Sequence, residues 1–436
     1  MIGQIDKKYI SSIDFLDARE ILNQALDIQN EDYSFLDVME LTNRSVVTSE
    51  PQYHHFVNEE LYKLGVVQST SGTGTTITVT LTSDTSDAAK AGDIVMFNDG
   101  KQGYVQSKSG AALTVISVDG TAINTSVANA DNLSFFTYAA AEGSGAPDPE
   151  RWGLTKYANQ VQIYKAKWQV TDIQKVSAIE VQYNGKNYIM YKGQHDVLRK
   201  FRANISFSML LSIASAANFQ AQSASITDAN GKPVQTTKGL NQYVEDDGII
   251  QPLIGSTIAL QDLEDLNTTL NLARCPKDYE LYVGTVMNMQ FDNYLNSLGN
   301  GTILSQAARY QITQNLDLGV DSFKLYGRTY HKIYMPMLDH RAVTNYTGAP
   351  DYYKSAYLVP MGKIKVDDGQ DMIDRMRVRY MNGDGTDLRY REIVTGALAP
   401  TPTNEDSLLA VSYTSVQGLE ILGAQHFAKL TPAQST

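Results

Sequence analysis

The segment from Trp152 to Phe219 restricts what this chain can fold into more than any other. A strand-like stretch, Tyr157 to Val170, is followed after an Asn184-Gly185 turn by a helix predicted over Asn187–Phe219. Val197, Phe201, Ile205, Met209 and Ile213 recur four residues apart, joined by Leu198, Leu210 and Leu211, so one helical face is apolar. At about thirty residues this helix far exceeds the globular mean of about 11–12. A beam of that length beside an extended arm suits assembly more than the enclosure of a reaction site. Within the arm, Val161 and Ile163 share one face, whereas Tyr164, Ala166, Trp168 and Val170 share the other. That change of phase near Ile163 predicts a bulge, or passage from one environment into another.

The first half of the beam carries Lys186, Lys192, Arg199, Lys200 and Arg202, a local basic excess in a chain of net charge −12. Two readings stand open: an ordinary solvated helix face, or a face turned toward a polyanion. The overall charge argues against a dedicated nucleic-acid binder but leaves room for weak local contact. Tyrosines outnumber phenylalanines 26 to 12, a bias that fits surfaces apolar on one side and wet on the other.

At 436 residues the chain exceeds the size at which single cores stop growing, so two or three domains are expected. No apolar run approaches the roughly 18 residues of a membrane span. The opening residues, Met1 to Lys8, lack the apolar core of a signal peptide, so synthesis and folding in a cytoplasm are expected. A single cysteine, Cys275, excludes intramolecular disulfides and thiolate zinc clusters. With Pro276 beside it and no base nearby, it reads as structural.

Helices are predicted over Ile13–Gln29 and from Ser34, as N-cap, to Leu41. From Gly65 to Pro149 the composition turns to Thr, Ser, Gly and Ala. Short alternating runs at Ile77–Leu81, Asp93–Phe97, Tyr104-Val105, Leu113–Val118 and Leu133–Tyr138 are separated by Gly-containing turns, which predicts a small all-β barrel or sandwich. Extended segments flank it, Val46–Leu64 before and Leu154–Val170 after, so the β unit reads as an insertion in a long hairpin. Beyond the beam, Lys238-Gly239-Leu240-Asn241 leads into a short segment, and Leu260, Leu263, Leu266 and Leu270 mark a helix with Ser256 or Thr257 as cap. A buried strand at Tyr279–Val283 and a helix at Val286–Leu298 suggest an α/β layer. Later strands are expected at Phe323–Tyr326, Tyr330–Met335, Ala356–Met361, Met372–Tyr380, Leu388–Thr395, Leu408–Ser412 and Gly418–Phe427.

Catalytic and metal patterns are weak. His54 and His55 are adjacent and diverge in a strand, with no further ligand at metal-site spacing. Ser71-Gly72-Thr73-Gly74-Thr75 lacks the lysine of a phosphate loop. Asn382-Gly383-Asp384-Gly385-Thr386-Asp387 opens like a calcium loop, but position six is Asp387 and position twelve Ile393, so it reads as a hairpin turn. No nucleophile elbow or triad appears. No enzyme activity, cofactor or metal is predicted.

In this order the elements resemble the major capsid proteins of tailed bacteriophages, the Hong Kong 97 fold. Asn159-Gln160-Val161-Gln162-Ile163 followed by Trp168-Gln169-Val170-Thr171 is similar to the returning strand of the extension loop. Tyr188 to Ala217 looks like the spine helix, and Lys238-Gly239-Leu240-Asn241 resembles the Gly-Leu turn after it. The resemblance covers nearly all of the chain outside Gly65–Pro149. It implies an α+β fold with an N-terminal arm at 1–43, an extension loop at 44–64 and 150–172, and a β insertion at 65–149. A peripheral domain at 173–237, a mainly axial domain at 238–354 and returning strands at 355–436 complete the layout. It also implies a coat protein of hexamers and pentamers around double-stranded DNA, located in the virion. Portal, scaffolding and decoration proteins would be its partners, with no membrane involved. Lys192, Arg199, Lys200 and Arg202 would then face DNA, and Tyr157, Gln160, Gln162 and Tyr164 a neighbouring subunit. The rivals are an encapsulin-like compartment, opposed by the length and the β insertion, and a glycan-binding β protein, opposed by the spine helix and the missing signal peptide.

Overall fold

Consecutive residues of the strand Asp278–Val283 enter different cores. Tyr279, Leu281 and Val283 pack with Leu263, Leu266, Leu270, Met287 and Phe291, while Tyr282 packs with Phe35, Phe201 and Phe427. The period of two does the sorting, and a strand covered on both faces reads as a continuous apolar run instead of an alternation. The computed structural model in which this is seen describes residues 35–58, 64–145, 154–173, 182–183, 186–215, 226–255, 257–299, 322–344, 351–366, 371–383, 385–399 and 405–432. The helix expected over Ile13–Gln29, the Ser34 and Ser256 caps, the Asn184-Gly185 turn and the end of the β unit at Pro147–Pro149 lie outside these residues.

Two compact units divide the chain: His55–Tyr157, and the remainder on either side of it. The first contains a closed barrel of six antiparallel strands. Its order is Leu64–Thr73, Thr76–Leu81, Ala112–Ser117, Gln102–Ser109, Asp93–Met96 and Asn132–Tyr138, the last returning to the first. Thr76–Leu81 and Ala112–Ser117 alternate between buried positions and half-buried or exposed ones. Their inward residues Ile77, Val79, Leu81, Leu113 and Val115 fill the interior. Closure leaves no strand edge unpaired. The sequence expected a barrel or sandwich; barrel closure depends on which distant strands meet.

The larger unit holds two six-stranded sheets. One has the order Ile249–Pro252, Ala428–Thr431, Ala356–Pro360, Asp278–Val283, Arg328–Tyr334, Ser322–Leu325. Helices Leu260–Leu272 and Thr285–Gly299 supply the core of one face, as the α/β pattern predicted. The cap of Leu260–Leu272 is not Thr257. The buried Asp262 carboxylate accepts the backbone N–H of Ala259, the capping residue, and that of Ile254 in the preceding segment, both at 2.8 Å.

The other sheet is built around Leu408–Ile421, a single strand of 14 residues where two segments were expected. On one edge Gln162–Thr171 pairs with it residue for residue, from Gln162 opposite Gln417 to Thr171 opposite Leu408. On the other edge Arg391–Thr395 pairs with residues 410–414, and Met376–Tyr380 with 417–421. Short neighbours in series allow one long strand. Asn382 pairs with Asp387 and Gly383 with Thr386, so this segment forms the hairpin turn expected of it.

The long helix spans Tyr188–Leu211 and ends earlier than its apolar stripe suggested. Phe201, Ile205 and Met209 are buried as predicted, but Ile213 lies past the end and is 69% exposed. The reason is local. Gly239 N–H bonds the Ser212 carbonyl at 2.9 Å, and Ala214 N–H bonds Gln242 Oε1 at 2.7 Å, so the chain leaves the helix to run beside Gly239–Gln242. A Cβ on Gly239 would lie 2.8 Å from Ser212 N and 2.9 Å from Ser208 O, closer than side chains are found. That approach accounts for the glycine in Lys238-Gly239-Leu240-Asn241.

Leu113→Ala tests the independence of the barrel. Removing this fully buried side chain should cost about 2–5 kcal/mol, and calorimetry should show one unfolding transition moving to lower temperature while the other stays. A uniform shift of all transitions would refute two independently cooperative units.

Candidate functional site

The richest polar cluster in the described residues lies where the returning arm meets the end of the long helix and the long strand. Asn159 is buried and uses its whole amide. Its Nδ2 donates to the Leu419 carbonyl at 2.6 Å and the Lys238 carbonyl at 3.1 Å, and its Oδ1 accepts from Gln160 N–H at 2.8 Å and Lys238 N–H at 2.9 Å. Tyr53 donates its hydroxyl to the same Leu419 carbonyl at 2.7 Å. Gln160 donates through Nε2 to the Ser215 and Thr236 carbonyls, and Gln235 donates to the Val161 carbonyl. Gln162 Oε1 accepts from Ser208 and from Thr237 N–H. Gly418 sits in the middle: a Cβ there would lie 2.7 Å from both Gln160 O and Tyr53 Oη.

The expected phase change falls at Val161, between the strands Leu154–Gln160 and Gln162–Thr171. The chain changes partner there, from Gln52–Asn58 to Leu408–Ile421. Val161 is fully buried, with Tyr53 and Val416, whereas Ile163 is 44% exposed, so the two do not share an environment as the alternation suggested. Tyr164, Trp168 and Val170 do enter the main core together.

Three of the residues expected to meet a neighbouring subunit are occupied inside the chain. Gln160 and Gln162 belong to the amide cluster, and Tyr164 is buried against the long helix's core. The two amides are needed at the junction because the chain switches sheets there and leaves backbone groups to satisfy, while the Tyr164 ring fills the core. Tyr157 is half-buried and stacks on His55 with ring centroids 5.6 Å apart, which also places His55 in a packing role.

The basic residues divide similarly. Arg202 donates to Asp37 and Glu40, both at 2.9 Å, and ties the short helix Phe35–Leu41 to the long helix. Glu40 also accepts from Arg389 and from the Tyr390 hydroxyl. Arg202 therefore has a role within the fold. Lys200 is exposed and Arg199 half-buried; the Lys192 side chain lies outside the described ones.

Charged pairs that sequence reading missed join the layers. Glu280 is buried on the strand that divides the two cores, holds Arg44 in a two-point pair at 2.5 and 3.2 Å, and accepts the Tyr282 hydroxyl at 2.6 Å. Glu420, 1% exposed, receives Arg377 at 2.5 Å and Arg379 at 2.7 and 3.1 Å. Burial alone would raise the Glu420 pKa, but hydrogen bonds from Arg379 and Arg377 outweigh it and hold the carboxyl below its usual value. No spacing rule announces such pairs, because their members are 41 to 236 positions apart.

The cluster offers neutral amides, hydroxyls and carbonyls that satisfy one another, with no nucleophile and base in contact. Its chemistry is that of a clamp. Among the described residues no group of three or more His, Cys, Asp or Glu side chains could hold a metal ion. No helix among them is long and apolar enough to cross a membrane. Cys275 is buried, and burial pushes its thiol above the ordinary value, which suits the structural role expected of it.

No family model and no curated protein sequence matches the chain. Among solved structures, the capsid of Myoviridae phage XM1 is similar at 11% identity and a TM-score of 0.43, over 98% of this chain and 100% of that one. A chain of Mycobacterium phage Adephagia is similar at 8% identity and 0.42, over 100% of both. The SrpI encapsulin of Synechococcus elongatus PCC 7942 is similar at 11% identity and 0.34, over 65% of this chain and 77% of that one. With TM-scores below 0.5, these likenesses do not define the chain's fold or function.

Replacing Asn159 by alanine strands several buried partners, each costing about 1–3 kcal/mol. Urea unfolding should show the larger unit destabilised by at least about 2 kcal/mol; an unchanged midpoint would mean that the clamp is dispensable. Glu420 gives a pH test. Its folded pKa is depressed, so its stabilisation is complete above the unfolded value near 4.5 and is lost as pH falls toward the folded value. Glu420→Gln should cost about 3–5 kcal/mol at pH 7 and flatten the acid limb of the stability curve. An equally steep limb in the variant would assign the acid sensitivity elsewhere.

Proposed function

We propose that this chain is a structural coat subunit of a tailed bacteriophage, assembling as hexamers and pentamers into an icosahedral head around double-stranded DNA. The observation that carries this reading is the order of interlocked elements. A short helix, a two-stranded ribbon interrupted in sequence by a barrel, a returning strand, a long helix and a mixed α/β layer follow one another. A late 14-residue strand then pairs back along the returning strand. This order supports the proposed layout of arm, extension loop with insertion, spine helix, and peripheral and axial parts.

The amide clamp supports the same reading. An arm that is to bear load from neighbouring copies needs a rigid root, and Asn159, Gln160 and Gln162 root it in three separate elements. Many modest contacts between identical subunits then add up to a stable shell. Lys192, Arg199 and Lys200 remain candidates for weak contact with packaged DNA, and Tyr157 for contact with a neighbouring copy. Portal, scaffolding and decoration proteins are the partners this reading calls for. It assigns the chain no catalysis.

Electron microscopy of the expressed chain, with and without co-expressed scaffolding protein, is the direct test. Capsomers or closed shells are the expected result. A monodisperse monomer under all these conditions would sink the proposal, and shells that copurify with an enzyme cargo would move it to an encapsulin-like compartment.

A further inference from the structure

Arg375, at the turn between Asp371–Asp374 and Met376–Gly383, breaks the rule that the other inward-facing cations obey. Arg44, Arg377, Arg379 and Arg389 each meet a carboxylate. Arg328 has none, but four neutral oxygens, from Asn267, Asn271, Cys275 and Pro276, cover its donors. Arg375 has a single side-chain contact, Nη1 to His426 Nδ1 at 2.9 Å. Its Nε is shut off from solvent with no acceptor.

Among the described residues, the groups that face this guanidinium are neutral. His426 must present an unprotonated Nδ1 to accept from it, and burial followed by the Arg375 charge pushes the imidazole below its usual value. Burial pushes the Cys275 thiol up and keeps it protonated. The Tyr279 hydroxyl donates to the His426 carbonyl and carries no charge. Burial likewise pushes Arg375 itself below the usual arginine value. A half-buried cation with a neutral lining is a cost with no return in the isolated chain.

We infer that Arg375 is the receptor for a carboxylate supplied by a second copy of this chain, an inference that rests on the shell reading above. Charge complementarity selects the occupant. With 48 acidic against 36 basic residues, a neighbouring copy presents mainly carboxylates, and the same net charge repels a nucleic-acid backbone. A carboxylate also fits the Nη1–Nη2 edge of a guanidinium, as Arg44 shows within the chain; the enclosed Nε is not part of that edge.

The test compares wild type, Arg375→Gln and Arg375→Lys in two states. In the unassembled chain, held at low protein concentration, Arg375→Gln should melt at or above the wild-type temperature, because no ion pair is lost. In assembly, followed by sedimentation and electron microscopy, Arg375→Gln should lower the yield of capsomers or shells at least tenfold. Arg375→Lys should restore part of it, since a point charge replaces the fork. Normal assembly of Arg375→Gln, or a lower melting temperature before assembly, would overturn the inference. So would inorganic phosphate raising the melting temperature of the wild type but not of a normally assembling Arg375→Gln, which would make the occupant a small anion. A wild-type chain that never assembles would overturn the shell reading and this inference together, a result distinct from failure of the variant alone.

Discussion

The carbonyl oxygen of Leu419 receives the Asn159 amide at 2.6 Å and the Tyr53 hydroxyl at 2.7 Å, with the Tyr243 hydroxyl farther off at 3.5 Å. Through this one acceptor the outgoing strand, the returning strand, the helix Leu240–Asp247 and the long C-terminal strand are held together. Leu419 sits in a run of seven buried residues, Ser415 to Ile421, so an unmet carbonyl there would carry its full desolvation cost. Gly418 leaves the space in which these donors converge. The register of Gln162–Thr171 against Leu408–Gln417 follows, since a one-residue slip would both break the clamp and turn Tyr164, Trp168 and Val170 away from the core.

Around that clamp the larger unit is organised by a dividing wall. Asp278–Val283 and Ala356–Pro360 send alternate residues into two cores, Leu358 to one and Tyr357 with Val359 to the other. Charged residues enter only where they are met. Glu280 carries Arg44 and the Tyr282 hydroxyl, and Lys429 bonds Asn241 at 2.7 Å and Glu245 at 2.9 Å. Arg375 is notable against this background because no carboxylate among the described residues completes it.

Much of the fold was legible in local pattern. The apolar stripe of the long helix, the alternation at Ile77–Leu81 and Leu113–Ser117, and the mainly apolar run at Tyr279–Val283, broken only by Glu280, are each produced by neighbours a few residues apart. Element ends were less legible. The stripe continues to Ile213, yet the helix stops at Leu211 because Gly239 and Gln242 compete for the backbone that follows. The strand Leu408–Ile421 read as two segments because its partners change along one edge and its buried second half loses alternation. Thr257 looked like a cap, but Asp262, inside the helix, performs that role.

By itself the sequence determined the kinds of element, their order, the inserted β unit and the absence of a recognisable catalytic pattern, because these depend on local periodicity and composition. The tertiary structure alone decided which polar residues are committed. Gln160, Gln162, Tyr164 and Arg202 looked like surface contacts to a subunit or a polyanion, but Gln160, Gln162 and Arg202 bond partners 46 to 165 residues away and Tyr164 is buried in the main core. Arg375, which no sequence pattern singles out, is half-buried and meets no acid among the described residues. A side chain's role in recognition depends on whether the fold has already satisfied its hydrogen bonds and charge, and distant residues that the chain brings together settle that.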